Sequence, residues 1–476
     1  MHIPSPESLI KLKKIELVGK LHTSLKTIEQ LQQEITELKD KAAKNSSNSH
    51  KPPSSDGYEK PDPKSSREKS DKKVGGQKGH KGETLNQVDN PDVVKTHTID
   101  ECSKCGAPLG VEVLTHECRQ EFDLAPSKVI VTEHQGEQKL CSNCGYLNKA
   151  SFPENINHPV QYGSRVKSYA VYLSQQQFVP YKRLKELFAD CFSMNISQGS
   201  FVNFNKYCAK KIAPSVELIR QNVMNSKVVN FDESGMRVCS KLGWLHVSST
   251  TTNTYYEIHN KRGEEAMDAI NILPLYKGIA VHDHWKSYFK YTECQHSLCN
   301  AHHIRELKFS SEKHAQQWAS KLITLLSDIS KKVKEYKKDK TSQFEKYLAE
   351  EYEQKYDQIL QLGLAEIPIL PEPETKKRGK KKQHKAKNLL DRLKNYKKET
   401  LLFMCNFDVP FTNNLGENDI RMCKVKSKIS GTFRSNKGSK VFTGIRSYIS
   451  TARKQEVNIM DALADAFNGN PFMPAK

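Results

Sequence analysis

Two short apolar runs that each end in an acid constrain this chain most. Val228-Val229-Asn230-Phe231-Asp232-Glu233-Ser234 and Gly278-Ile279-Ala280-Val281-His282-Asp283 both read as buried strands that deliver a carboxylate to the edge of a sheet. Residues 244–248 and 254–259, between them, read as further strands. A sheet that sets the two acid-bearing runs side by side brings Asp232 and Asp283 together. Carboxylates that close repel, and each raises the other's pKa unless a cation lies between, so an ionised pair implies a divalent metal. Oxygen donors favour magnesium or manganese.

Composition narrows the partners of such a pair. The chain has 476 residues, enough for several domains and at least one large core. Lysine and arginine number 75 against 55 acids, a formal charge of +20 with a pI near 9.2. That excess points to a polyanionic partner, nucleic acid ahead of membrane. No apolar run is long enough to span a bilayer and the N-terminus carries no apolar signal-peptide core, so a cytoplasmic protein is expected. There the twelve cysteines stay mostly reduced, and closely spaced pairs read as metal ligands rather than disulfides.

At the N-terminus, Leu17, Leu21, Ile28, Leu31, Ile35, Leu38 and Ala42 occupy heptad a and d positions, with Ser24 interrupting one d site. They predict a coiled-coil helix within residues 1–44 and self-association; the alternative is an amphipathic helix packed on its own chain. Residues 45–90 turn to Ser, Pro, Gly and Lys, with Lys51-Pro52-Pro53-Ser54-Ser55-Asp56 and Gly75-Gly76-Gln77-Lys78-Gly79-His80-Lys81-Gly82. No core forms from such residues, which read as a flexible basic linker whose glycine run is also free to lie along phosphates.

Two matching knuckles follow, Cys102-Ser103-Lys104-Cys105-Gly106 and Cys141-Ser142-Asn143-Cys144-Gly145. In each, the glycine lets backbone amides turn toward the thiolates, and four such sulfurs close a tetrahedral zinc site with no open position. One structural zinc in a zinc-ribbon-like module over residues 91–157 is expected, with residues 129–133 as a strand. Cys118 lacks a knuckle and reads as an ordinary buried thiol.

Residues 158–225 take on helical periodicity. An amphipathic helix over 183–192, a break at Met194-Asn195 and a second helix capped by Ser197 suit either a helix-turn-helix or an all-helical packing domain. After Asp283, Cys299 and His302 have metal-ligand spacing but no second pair close by in sequence. A long helical stretch over about 306–400 contains Lys376-Lys377-Arg378-Gly379-Lys380-Lys381-Lys382-Gln383-His384-Lys385, either a solvated run or a phosphate-binding loop. Beyond it, Asn413-Asn414-Leu415-Gly416-Glu417 offers a third acid; with Asn414 as N-cap, Glu417 takes the third helical position and Arg421 lies one turn on. The same pattern is also a plain capping box.

The order strand-Asp, strands, strand-Asp, long helical insertion, helix-Glu resembles the ribonuclease-H-like fold of DDE transposases. More narrowly, the chain resembles the large transposase of the insertion sequence 66 family over nearly its whole length. The coiled coil, the Lys-Pro-Pro-Ser-Ser-Asp linker, the glycine run, the paired knuckles, Cys299-x-Ala301-His302 and Asn413-Asn414-x-x-Glu417 come in that family's order. The resemblance implies an α/β ribonuclease-H-like catalytic core over 226–435 with a helical insertion, preceded by the coiled coil and the zinc module and followed by a C-terminal segment over 436–476. It implies Asp232, Asp283 and Glu417 as the catalytic triad, and it extends to the tail segments 424–428, 431–435 and 447–453. The basic and aromatic residues there suit a DNA-facing surface, with Arg421, Lys426, Lys428 and Arg434 as contacts, although Tyr448 and Ile449 also suit a core. Ile304-Arg305 and Glu417-Asn418 depart from the family's arginines at secondary DNA contacts.

Cleaving a phosphodiester needs an activated water and a stabilised leaving oxygen, which two magnesium or manganese ions held by the three acids would supply. A freed DNA 3′-hydroxyl then replaces water and joins the element to a target. The expected partners are element ends and target DNA, a second copy of the chain and accessory transposition proteins, in association with the nucleoid. Two rivals share the residues: a nuclease of the same fold that cuts without joining, and a zinc DNA-binding protein with no enzymatic role.

Overall fold

The computed structural model describes residues 14–49, 85–123, 129–339, 341–367 and 383–475. The proline and glycine segments of the expected linker at 51–56 and 75–82, and the basic run at 376–382, lie outside those residues. The chain divides into two units, one of Met1–Pro63 with Gln135–Lys476 and one of Lys64–His134.

The smaller unit holds little regular structure among its described residues. An isolated antiparallel bridge joins Glu101 to Pro108 around the first knuckle. The strand expected over 129–133 is absent, and Cys118 is exposed, correcting the buried thiol; its carbonyl accepts from Gln87 Nε2 at 2.9 Å.

The larger unit begins with α1, Lys14–Ala43, and a hairpin of β1, Gln138–Leu140, and β2, Leu147–Lys149. Four helices follow: α2, Ser164–Val171, which runs on into a π-helical turn, α3, Tyr181–Phe192, α4, Gln198–Lys211, and α5, Ala213–Met224. Ser197 caps α4 as expected, its hydroxyl accepting from Ser200 N at 3.1 Å.

A mixed sheet forms the centre. β3, Val228–Val238, pairs antiparallel with β4, Lys241–Ser249, which pairs antiparallel with β5, Thr254–His259. After α6, Glu264–Ile270, the chain crosses to β6, Ile279–His282, and then to β7, Gln295–Leu298, both parallel to β3. The resulting order is β5-β4-β3-β6-β7. Parallel strands need covered faces, and both faces of β3 and β6 are covered. Ile279 and Val281 join a large cluster with Trp318, Leu322, Leu326 and Leu390, while Val229, Phe231 and Ala280 point the opposite way onto Val223, Met267 and Tyr276.

The helical insertion consists of α7, Asn300–His314, α8, Gln317–Lys338, α9, Lys346–Glu366, α10, Lys385–Asn395, and α11, Lys397–Cys405. Its packing is close enough that a Cβ on Gly363 of α9 would stand 2.5 Å from Leu390 and 2.8 Å from Trp318. The chain then returns to the sheet as α12, Asn414–Ser430, adds β8, Thr432–Phe433, beside the far end of β3, and ends in α13, Asn436–Lys454, and α14, Ile459–Phe467. Tyr448 and Ile449 are core: they share one cluster with Phe188, Phe201 and Leu463, so this part of the tail faces protein rather than DNA.

Alone among the helices, α1 carries a row of exposed large apolar residues, Leu17, Leu21, Ile28, Leu31, Ile35 and Leu38. The helix is not packed on its own chain along this row. Its C-terminal end is tied down by Asp40 with Lys385 at 2.8 Å and by Lys44 over the Phe309 ring.

Candidate active site

The register of the sheet decides where the acids go. Asn230 of β3 pairs with Val281 of β6, and the same parallel register carried two residues further sets Asp232 beside Asp283. β6 ends at His282, and the next strand on that edge of β3 is β8, paired with Arg237 and Val238. The gap between them leaves backbone groups of β3 without a strand partner, and the start of α12 fills it. Asn413 Nδ2 donates to Phe231 O at 2.8 Å, while Asn413 Oδ1 accepts from Asn230 Nδ2 at 2.8 Å. Both asparagines are buried, so the pair satisfies polar groups that would otherwise be orphaned.

Glu417 arrives on α12 over the same face as Asp232. A Cβ on Gly416 would stand 3.4 Å from Asp232 Cβ, in van der Waals contact, so this turn of the helix lies directly on the strand. The N-cap is Asn413, one residue before the expected Asn414, which moves Glu417 to the fourth helical position. A capping box needs the acid at the third position, and the cap side chain makes no capping bond here. Glu417 is therefore no cap. Its Oε2 lies 4.0 Å from Arg305 Nη2, its Oε1 lies 3.9 Å from His302 Nδ1, and Oε1 is buried with no hydrogen bond among the described residues.

Backbone amides and the neighbouring side chains hold the acids in place. Glu233 N donates to Asp232 Oδ1 at 2.8 Å, and Trp285 N donates to Asp283 Oδ1 at 2.9 Å. Burial pushes the Asp232 carboxyl well above the usual range, and Glu233, Glu417 and Asp283 add to the shift by repulsion. Burial likewise raises Glu417, against the pull of Arg305 and Arg421. Asp232 and Glu417 thus sit in a field that opposes their ionisation and welcomes a cation. Beneath them, buried His282 is driven down to about 3, chiefly by desolvation, and shares a 3.0 Å bond between its Nε2 and His296 Nδ1.

One group next to the acids carries no signal in the sequence pattern. Glu233 is buried beside Asp232, accepts from Arg262 Nε at 2.8 Å and Nη2 at 2.6 Å, and also accepts from the Tyr288 hydroxyl. The Arg262 guanidinium in turn stacks on Trp285 at 4.2 Å and Trp244 at 5.0 Å. A cation clamped between a carboxylate and two indoles is preorganised, and it comes from a loop whose position in the sequence gives no hint of its neighbours. Asn413 was legible as part of a motif, but its role as a bridge was not.

Of the expected DNA contacts, Arg421, Lys428 and Arg434 are exposed, whereas Lys426 is half-buried, bonds Ser430 Oγ at 2.8 Å and is lowered in pKa by desolvation. Among the described residues, one group brings three metal-ligating side chains within 4.8 Å of one another: Cys299, His302 and Glu417. Asp232, Asp283 and Glu417 do not form such a group. Burial raises the Cys299 thiol to about 11.

Each zinc knuckle folds as its sequence demands. Gly106 N donates to Cys102 O at 2.9 Å and Gly145 N to Cys141 O at 2.8 Å, with both glycines at positive φ, +70° and +69°. The amides of Lys104 and Cys105 lower the Cys102 thiol, and those of Cys144 and Asn143 lower Cys141, which favours the thiolates a metal needs.

Residues 159–441, more than half of the chain, match the model of the Transposase IS66 family. Residues 100–145, which contain both knuckles, match the zinc-finger binding domain of transposase IS66, and residues 7–86 match a family of unknown function. No curated protein matches the chain. Among the described residues no helix is long and apolar enough to cross a membrane. With a mixed α/β transposase domain behind a zinc finger, the chain belongs to the IS66 family of transposases.

Proposed function

We propose that the protein cleaves DNA at the ends of its element and joins them to a target with Asp232, Asp283 and Glu417 as the catalytic acids, on a ribonuclease-H-like core. The observation that carries this reading is electrostatic. Asp232 is raised by burial and by repulsion from Glu233, Glu417 and Asp283, and Glu417 is raised by burial and by Asp283. A mixed sheet in which three antiparallel strands precede two parallel ones, with Asp232 within β3, Asp283 directly after β6 and Glu417 on a covering helix, supports the same reading.

The donor set fits divalent ions with a preference for oxygen, magnesium or manganese, which the three carboxylates would hold. When bound, such ions activate the attacking oxygen and stabilise the leaving one. The protein's own part is positioning. The Glu233 and Trp285 amides orient Asp232 and Asp283, and the Asn230–Asn413 bridge fixes α12 so that Glu417 faces them. Arg421, Lys428 and Arg434, with Lys426 less exposed, are suited to hold the phosphate backbone of an element end. No side chain forms a covalent intermediate, since water or a DNA 3′-hydroxyl is the nucleophile.

Cys102, Cys105, Cys141 and Cys144 hold one structural zinc in this reading. The exposed apolar row of α1 is the surface through which two copies pair, so that both element ends are held together. A nuclease that cuts without joining would use the same acids. Incubating the purified protein with its own element ends, a target plasmid and magnesium separates the two: joined products support transposition, and cleavage alone supports the nuclease.

A further inference from the structure

Cys299, His302 and Glu417 come from two distant parts of the chain and converge at one corner of the sheet. Cys299 follows β7 and is the N-cap residue of α7, His302 lies in the first turn of α7, and Glu417 lies in the first turn of α12. A sulfur, an imidazole nitrogen and a carboxylate oxygen all stand within 4.8 Å of one another. The two Glu417 oxygens are divided: Oε2 faces Arg305, and Oε1 faces His302 Nδ1 at 3.9 Å. Oε1 is buried and accepts no hydrogen bond among the described residues. Asn413 N points at Cys299 Sγ, 3.1 Å away, an arrangement that stabilises charge on a thiolate.

We propose that this cluster is a second zinc site, distinct from the cysteine knuckles. Mixed sulfur, nitrogen and oxygen donors select a borderline ion such as Zn2+ over Mg2+, and three protein ligands leave one position for water. On binding, the Cys299 thiol gives its proton to solvent and a sulfur–zinc bond forms; no electron moves. Zinc binding here rests on the cluster alone. One consequence rests on the reading of Glu417 as catalytic: a Glu417 oxygen engaged by zinc is unavailable to magnesium, so zinc inhibits cleavage.

The test uses the full-length protein with its knuckle zinc in place, dialysed against buffered Zn2+ or Co2+. Wild type is expected to take up one further ion per chain, and bound Co2+ should show a sulfur-to-cobalt charge-transfer band beyond that of the knuckles. Both are expected to be lost in Cys299→Ser, and uptake is expected to weaken at least about tenfold in His302→Ala, in line with loss of a ligand. A wild-type protein that takes up no further ion, or variants that bind as wild type does, would overturn the proposal. In cleavage assays with magnesium, added Zn2+ should inhibit wild type more strongly than His302→Ala. Uptake that depends on Cys299 and His302 without any inhibition keeps the site and removes Glu417 from the catalytic reading, so the two failures are told apart.

Discussion

The side-chain amides of Asn230 and Asn413, one from the central strand and one from the cap of α12, meet in a buried hydrogen bond of 2.8 Å. Two residues from one lies Asp232, and four residues from the other lies Glu417, so this bond sets the separation of two of the three acids.

Replacing Asn413 tests that link. Asn413→Ala leaves Asn230 Nδ2 and Phe231 O buried without partners, at a cost of about 1–3 kcal/mol for each group. Urea unfolding should show a loss of that order, and cleavage should fall while DNA binding holds. Asn413→Asp restores one acceptor but no donor, and it should recover only part of the stability.

The buried acids make stability depend on pH in a defined direction. Burial raises the pKa of Asp232 and Glu417 in the folded protein, so between the ordinary carboxylate range and the raised values the folded state binds more protons than the unfolded state. Stability of the metal-free protein therefore falls as pH rises through that window, and it is highest below the ordinary range of these two groups. Asp232→Asn removes one such charge. Thermal melts at neutral pH without divalent ions should place the variant above wild type, and added Mg2+ should narrow the gap by stabilising wild type alone.

The knuckles predict a local effect. Cys102→Ser or Cys141→Ser should release zinc, because ligand loss removes most of the metal's contribution to a small module's folding. Metal analysis and circular dichroism check this: zinc content should drop, while the large helical signal of the sheet-and-insertion unit stays.

The proposed pairing of two copies through α1 is open to a charge test. Ile28 and Ile35 are 50% and 49% exposed in the single chain, so a charge there costs the isolated fold little. Buried in a dimer seam without a partner, the same charge would cost several kcal/mol, on the order of 2–4 for the pair. Light scattering on Ile28→Glu with Ile35→Glu should show a smaller species than wild type, with nicking of a single end retained. An unchanged oligomer would move the pairing surface elsewhere.

How much of this was legible in the sequence depended on the range of the interaction. The strands at 228–238 and 279–282, the helix capped by Ser197 and the glycine turns of the knuckles are local features, set by periodicity and turn chemistry within a few residues. They came out as read. The strand expected at 129–133 failed because a β-branched run alone cannot supply a partner strand. Glu417 was misplaced by one position, since the true cap, Asn413, is chosen by bonds to β3 from far along the chain. The clamp of Arg262 by Glu233, Trp244 and Trp285 has no sequence signature, because its members meet only once the sheet forms.

The central claim is that three carboxylates jointly hold the ions that cleave DNA. Its most direct test is magnesium-dependent cleavage of labelled element-end DNA by Asp232→Asn, Asp283→Asn and Glu417→Gln, each isosteric and each lacking one charge. Loss of several kcal/mol of charge stabilisation predicts a fall on the order of 10³-fold or more in every variant, with DNA affinity nearly unchanged. Wild-type cleavage by any one of them would strike that residue from the site.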